Sequence, residues 1–194
     1  VHESAGAAQS GLRRKQQHQL LQGLRLHGDL LRRGAQEDPG RGAGGGVGSI
    51  GIQLAKQAGL TVIATASRSE TSDWVKSLGA DHVVNHREDM VAQVQAIGIK
   101  HVDHIAIFND MRHWDTAVEL IRPQGGIVSI DDTDLPMPMG GMKTKAASFH
   151  WEFMFARSMH QTPDMIEQHH LLSYVAGQID AGNIKTTVSE VLSP

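Results

Sequence analysis

Between Gly42 and Lys56 the chain reads GAGGGVGSIGIQLAK, with five glycines in the first seven residues. Without a Cβ, Gly42, Gly44, Gly45, Gly46 and Gly48 let the backbone approach a ligand closely. Ile50, Ile52, Leu54, Ala55 and Ala58 then give the following segment an apolar helical face. A glycine turn that opens a helix presents unpaired backbone N–H groups and the positive end of the helix dipole. That is the physical basis of pyrophosphate binding at the first βα turn of dinucleotide-binding folds. A glycine motif alone is weak, so the chain around it decides.

Downstream, strand and helix signals alternate. Strands are predicted at Thr61–Ala66, Val83–Val84, Val102–Phe108, Gly126–Ile130, Ala146–Phe149 and Thr186–Val188. Helices are predicted over 70–78, 88–97, 112–121 and about 163–180. This alternation implies an α/β fold, a Rossmann-type doubly wound parallel sheet with helices on both faces. Such sheets bind ligands outside the carboxyl ends of their strands. The rule selects the glycine loop, Ser67-Arg68, His86-Arg87, Asn109-Asp110 and Asp131-Asp132. The expected cofactor-binding residues are Gly45, Gly46, Val47, Gly48, Ser67, Arg68, His86 and Asn109. The position after the strand that follows the glycine-loop helix, here Thr61–Ala66, discriminates the nucleotide, since an acid there accepts hydrogen bonds from the ribose hydroxyls of NAD. Here Ser67-Arg68 stands instead, with no acid before Glu70. A hydroxyl with a guanidinium suits the 2′-phosphate of NADP, so NADP(H) is expected.

The sheet is expected to be incomplete. A dinucleotide-binding glycine loop follows a buried parallel strand, but Gln36-Glu37-Asp38-Pro39-Gly40-Arg41 precedes this one. From His2 to Gly46 there is no Val, Ile, Thr, Phe, Tyr, Trp or Met, and residues 1–41 carry seven Lys or Arg against four Asp or Glu. Three readings of 1–41 stay open: a nucleic-acid or partner-binding arm, a solvated tail, or a stretch read out of frame. The net charge of −3 gives no reason to expect a nucleic-acid surface. There is no cysteine, which excludes disulfides and thiolate zinc ligation. Twelve histidines invite a metal reading, but His169-His170, His82/His86 and His101/His104 show no third ligand, and no metal is expected. No run of about 18 apolar residues is present, so no membrane span is expected, and a cytoplasmic location is the default. The start at Val1 rather than Met reads as a fragment.

The segments GGGVGSIGIQLAK, SLGADHVVNHRED, WDTAVELIRPQGGIVSIDD and SFHWEFMFARSMHQTPDMIEQHHLL resemble the medium-chain dehydrogenase/reductase superfamily. The branch is quinone-oxidoreductase-like, often labelled zinc-type alcohol dehydrogenase-like, and the resemblance runs over 42–194. It implies NADPH-dependent reduction of a small quinone, enone or aldehyde, by hydride transfer without zinc. It also implies a GroES-like catalytic domain, absent here, and leaves a homodimer open through an edge strand near Ala146–Trp151. The expected organisation is an atypical basic segment at 1–41, a dinucleotide-binding domain at 42–183 and the start of a return segment at 184–194. No catalytic acid or base is expected from the residues present. The alternative is an inactive, truncated nucleotide-binding fragment.

Overall fold

The computed structural model describes residues 44–188. Expectations placed on 1–43 and on 189–194 lie outside the described residues. The elements follow in order. α1 (Gly46–Gln57) leads to β1 (Ile63–Thr65), α2 (Ser69–Ser77), β2 (His82–Val84), α3 (Met90–Ala96) and β3 (Val102–Ile107). A 3₁₀ turn at Met111–His113 then precedes α4 (Trp114–Leu120), β4 (Ile121–Ser129), α5 (Gly140–Thr144), β5 (Ser148–Trp151), α6 (Ala156–Met159) and α7 (Ile166–Asp180).

Local chemistry explains the boundaries. α1 ends where Gly59 takes φ +79°, and α2 ends where Gly79 takes φ +106°, a left-handed backbone that a Cβ disfavours. The carboxylate of Asp89 caps α3 by accepting the Ala92 N–H at 3.0 Å. Lys145 Nζ donates to the carbonyls of Val118, Glu119 and Ile121 at 2.7–2.8 Å, a cation on the negative end of α4. Burial pushes the Lys145 ammonium pKa down from its ordinary value.

All strand pairs are parallel. β1 pairs with β2, and β4 lies between β3 and β5 in a second group. Side chains of the short, buried strands alternate between two layers. Val62 and Ala64 pack with Ile52 and Ala55 of α1 and Val75 of α2. Ile63 joins Met90, Val94, Ile105, Ile107, Trp114, Leu120 and Ile127 in the other cluster. Helices therefore cover both faces, as a doubly wound Rossmann-type sheet requires.

Three expectations need correction. The strand predicted at Gly126–Ile130 starts earlier, at Ile121 directly after α4, so Arg122-Pro123 at the predicted helix end lies inside β4, which passes an irregular register before pairing again at Gly126. Gln124 has φ +62° there, so Pro123 and Gln124 form a bulge that lets the strand resume. Leu135–Gly141, which its prolines and glycines mark in the sequence as a loop after the fifth strand, is not wholly a connection, because α5 begins at Gly140. Thr186–Val188 forms no strand. A β-branched run becomes a strand only when a neighbour pairs with it, and none does among the described residues.

Candidate nucleotide-binding site

α1 meets the carboxyl end of the sheet with an N-terminus that no described side chain caps. Gly45 is its extended N-cap (φ −84°, ψ −177°), no side chain caps it, and its first turn holds no acid. The Ser49 N–H bonds back to the Gly45 carbonyl at 2.8 Å, so the N–H groups of Gly46, Val47 and Gly48 precede the helical ladder. Gly45 and Gly48 are buried, Gly46 is exposed, and Val47 is 50% exposed. A Cβ on Gly46 would meet nothing within 4 Å, so the space before it is open. A Cβ on Gly44 would lie 2.5 Å from Thr71 Cγ2, so the loop is pressed against α2.

That contact carries a hydrogen bond absent from the sequence reading. Trp74 Nε1 donates to the fully buried Ser49 Oγ at 2.9 Å and locks α2 to the start of α1. Gln53, also buried, clamps the chain after α7. Its amide donates to the Lys185 carbonyl at 3.0 Å and accepts the Lys185 N–H at 2.7 Å. Neither was legible, because Ser49 and Gln53 read as ordinary polar positions on an amphipathic helix.

Ser67 and Arg68 follow β1, as expected. Arg68 is the N-cap of α2, and its carbonyl accepts from the Ser72 N–H and Oγ, both at 2.9 Å. Those bonds fix the Arg68 backbone and leave its side chain exposed, with no salt bridge to a described residue. His86 is buried two residues beyond β2. The loop that holds it is tied down by Gln93, which accepts the Asn85 N–H at 2.8 Å and donates to the Asn85 carbonyl at 2.9 Å. Asn109 follows β3 and is half-buried, and its Oδ1 is buried without a hydrogen-bond partner among the described residues. Its neighbour Phe108 faces α1, with the ring 3.8 Å from where a Gly51 Cβ would stand. Ser67-Arg68 and His86 thus follow the paired strands β1 and β2, and Asn109 follows β3 in the second group. Asp131 lies in a turn, its N–H bonded to Ser129 Oγ at 3.0 Å and its carbonyl accepting from the Ser129 hydroxyl at 3.1 Å.

The first-turn N–H groups of α1, the open approach at Gly46 and the exposed guanidinium of Arg68 could hold the phosphates of a nucleotide, and Asn109 Oδ1 could accept a hydrogen bond from it. No three of His, Cys, Asp and Glu gather into a metal site among the described residues.

A model of the zinc-binding dehydrogenase family matches residues 46–167. The chain belongs to that family. A zinc-type alcohol dehydrogenase-like protein of Staphylococcus aureus (strain MSSA476) is 45% identical to this chain over 154 residues. The match covers 77% of this chain and 46% of that protein, so the chain spans about half the length of the curated relatives it matches. A crystal structure from Rhizobium etli CFN 42, assigned to the zinc-dependent alcohol dehydrogenases, is 43% identical with a TM-score of 0.73. It covers 82% of this chain and 49% of its own. Escherichia coli quinone oxidoreductase, solved with NADPH, superposes with a TM-score of 0.65 at 23% identity, over 87% of this chain and 54% of its own. At that identity the likeness concerns the fold. The zinc that the family's name implies does not fit the residues described here: the chain has no cysteine, and its histidines and acids do not converge. No helix among the described residues is long and apolar enough to cross a membrane.

Proposed function

We propose that this chain is the nucleotide-binding part of an NADP(H)-dependent oxidoreductase that reduces a small quinone, enone or aldehyde by hydride transfer without zinc. The observation that carries the reading is the α1 N-terminus, capped by no described side chain and pressed at Gly44 against Thr71 of α2, whose N-cap is Arg68, with no acid directly after β1. Gly46, Val47 and Gly48 would direct their N–H groups at the diphosphate, and the open space before Gly46 lets it approach. Arg68 would pair with the 2′-phosphate, with Ser67 as a further donor. His86 and Asn109 would border the nucleotide at the ends of β2 and β3. NADPH supplies the hydride, and the protein's part is to position it. The E. coli relative solved with NADPH supports the cofactor choice through its shared fold. The edge strand β5, with Trp151 and Phe153 each 52% exposed, would serve a homodimer.

Fluorescence titration of NADPH and NADH against the full chain and Arg68→Ala tests the reading. NADPH is expected to bind more tightly, and Arg68→Ala is expected to weaken NADPH roughly tenfold with NADH little changed. Equal losses for both nucleotides would count against the 2′-phosphate role.

A second reading, nucleotide binding without catalysis, is favoured by the sheet, whose described strands fall into two groups. Binding of NADPH with no turnover of a quinone, enone and aldehyde panel would select it.

A further inference from the structure

NADPH carries its diphosphate and its 2′-phosphate on one adenosine, so the two groups that would receive them must keep a set spacing. The first-turn N–H groups belong to α1, and the guanidinium belongs to Arg68, the N-cap of α2. That spacing therefore depends on how α2 is fixed to α1.

The two halves of α2 are held differently. Towards the C-terminus, Val75 and Leu78 pack with Ile52 and Ala55 of α1 in one buried cluster. Apolar burial is non-directional, so it fixes the depth of the helix better than its rotation. Towards the N-terminus, Ser69 and Glu70 are exposed, and Thr71 and Ser72 are half-buried, so burial gives this half little hold. There Thr71 and Trp74, three residues apart on one face, meet the start of α1. A Cβ on Gly44 would stand 2.5 Å from Thr71 Cγ2 and 3.9 Å from Trp74 Cδ1. A directional contact completes this face: Trp74 Nε1 donates to Ser49 Oγ at 2.9 Å. The acceptor is itself anchored. Ser49 is fully buried, its N–H donates to the Gly45 carbonyl at 2.8 Å, and its carbonyl accepts from the Gln53 amide at 3.0 Å.

We infer that Trp74 and Ser49 are positioning residues for cofactor choice: their hydrogen bond holds Arg68 at the spacing a 2′-phosphate needs and so sets the preference for NADPH over NADH. This role rests on the NADP(H) reading of the site and acts through Arg68. A hydrogen bond has a narrow range of length and angle, so it fixes the rotation of α2 that apolar packing leaves loose. NADH has no phosphate on the adenosine ribose, and its binding draws on the α1 turn alone of the two subsites. NADPH draws on both. A displaced guanidinium loses the parallel pair of bonds on which its contact with a phosphate depends.

The test is calorimetric titration of NADPH and NADH into the full chain, Ser49→Ala, Trp74→Phe, Arg68→Ala and each of the first two combined with Arg68→Ala. Trp74→Phe deletes the donor and keeps a ring against the cluster. Ser49→Ala deletes the acceptor by removing one oxygen, and it carries the test where the thermal midpoint shows that Trp74→Phe has lost the fold. Each single change is expected to weaken NADPH about fivefold and NADH less than about twofold, a loss the size of one hydrogen bond. In the Arg68→Ala background the same changes are expected to alter NADPH less than about twofold, because no guanidinium remains to be positioned. Equal losses for the two nucleotides, a loss that persists in full without Arg68, or NADPH affinity that Ser49→Ala leaves untouched overturns the positioning role and leaves the cofactor reading standing. An unsubstituted chain that binds neither nucleotide overturns both.

Discussion

Gly46 and Arg68 divide the work at the proposed site between backbone and side chain. Because a Cβ on Gly46 meets nothing, Gly46→Val is expected to change stability by less than about 1 kcal/mol, the toll of an ordinary surface substitution. The isopropyl group would nevertheless occupy the approach to the N–H groups, so NADPH affinity is expected to fall at least tenfold. Thermal melts and fluorescence titration on one preparation separate the two effects. Asp81 carries a pH-dependent contribution. Lys56 Nζ donates to both its oxygens at 2.8 Å and the Val62 N–H to one of them at 2.7 Å. The lysine bond first, then the backbone bond, holds the Asp81 carboxyl below the usual carboxylate range. A depressed folded pKa means stability that is present above the unfolded value of about 3.9 and lost as pH falls through the folded one. The pair is one-third exposed, so its worth is below about 1 kcal/mol. Asp81→Asn is therefore expected to lower Tm slightly at pH 7, with the difference closing below about pH 4. Melts of both proteins across that range check it. At this scale Gly45–Gly48, Ser67 and Arg68 were legible because their chemistry lies in residue type and order. Ser49, Gln53 and Trp74 were not, because each matters only through a partner distant in sequence.

Among the elements, β4 departs most from its pattern. Its bulge brings Gly125 against β3, where a Cβ would stand 2.7 Å from the Ile121 side chain and 2.8 Å from the Asp103 carbonyl oxygen. Backbone cannot yield as a side-chain tip can, so Gly125→Ala is expected to destabilise the fold by about 2–3 kcal/mol, the range for overpacked sites. Gln124→Gly, by contrast, relieves a left-handed backbone and is expected to be neutral or stabilising by about 0.5–1 kcal/mol. Urea unfolding of the two variants distinguishes strain from packing. The helices predicted over 70–78, 88–97, 112–121 and about 163–180 were located to within a few residues because their apolar period and glycine stops are local, whereas the short α5 and α6 were not foreseen. The path of β4 was misread because proline and glycine signal a break, and only pairing with β3 and β5 carries the strand through it.

For the whole molecule, the surface around β5 stands out. Phe149 packs edge-on to Trp114 and to Trp151, which connects the core to an exposed apolar run. Trp151, Phe153, Met154 and Phe155 are all more than half exposed. An exposed apolar run of this kind is what a binding interface would require. If it serves the proposed homodimer, Trp151→Lys is expected to shift sedimentation of the full chain towards the monomer, with the core clusters and Tm little affected. Unchanged sedimentation would assign the surface to another partner.

The amino-acid order by itself determined the βα alternation, the glycine turn that opens α1, the edge at which a ligand would sit and the family the chain resembles. All of these are written in periodicity, turn chemistry or short motifs, and a few neighbouring residues suffice to impose them. The tertiary structure alone decided that β1–β2 and β3–β4–β5 form separate groups, that Ile63 bridges their core, and that Ser49 and Gln53 are buried fasteners. Strand pairing and burial depend on contacts far apart in the chain, and a two-residue period marks a strand without naming its neighbour.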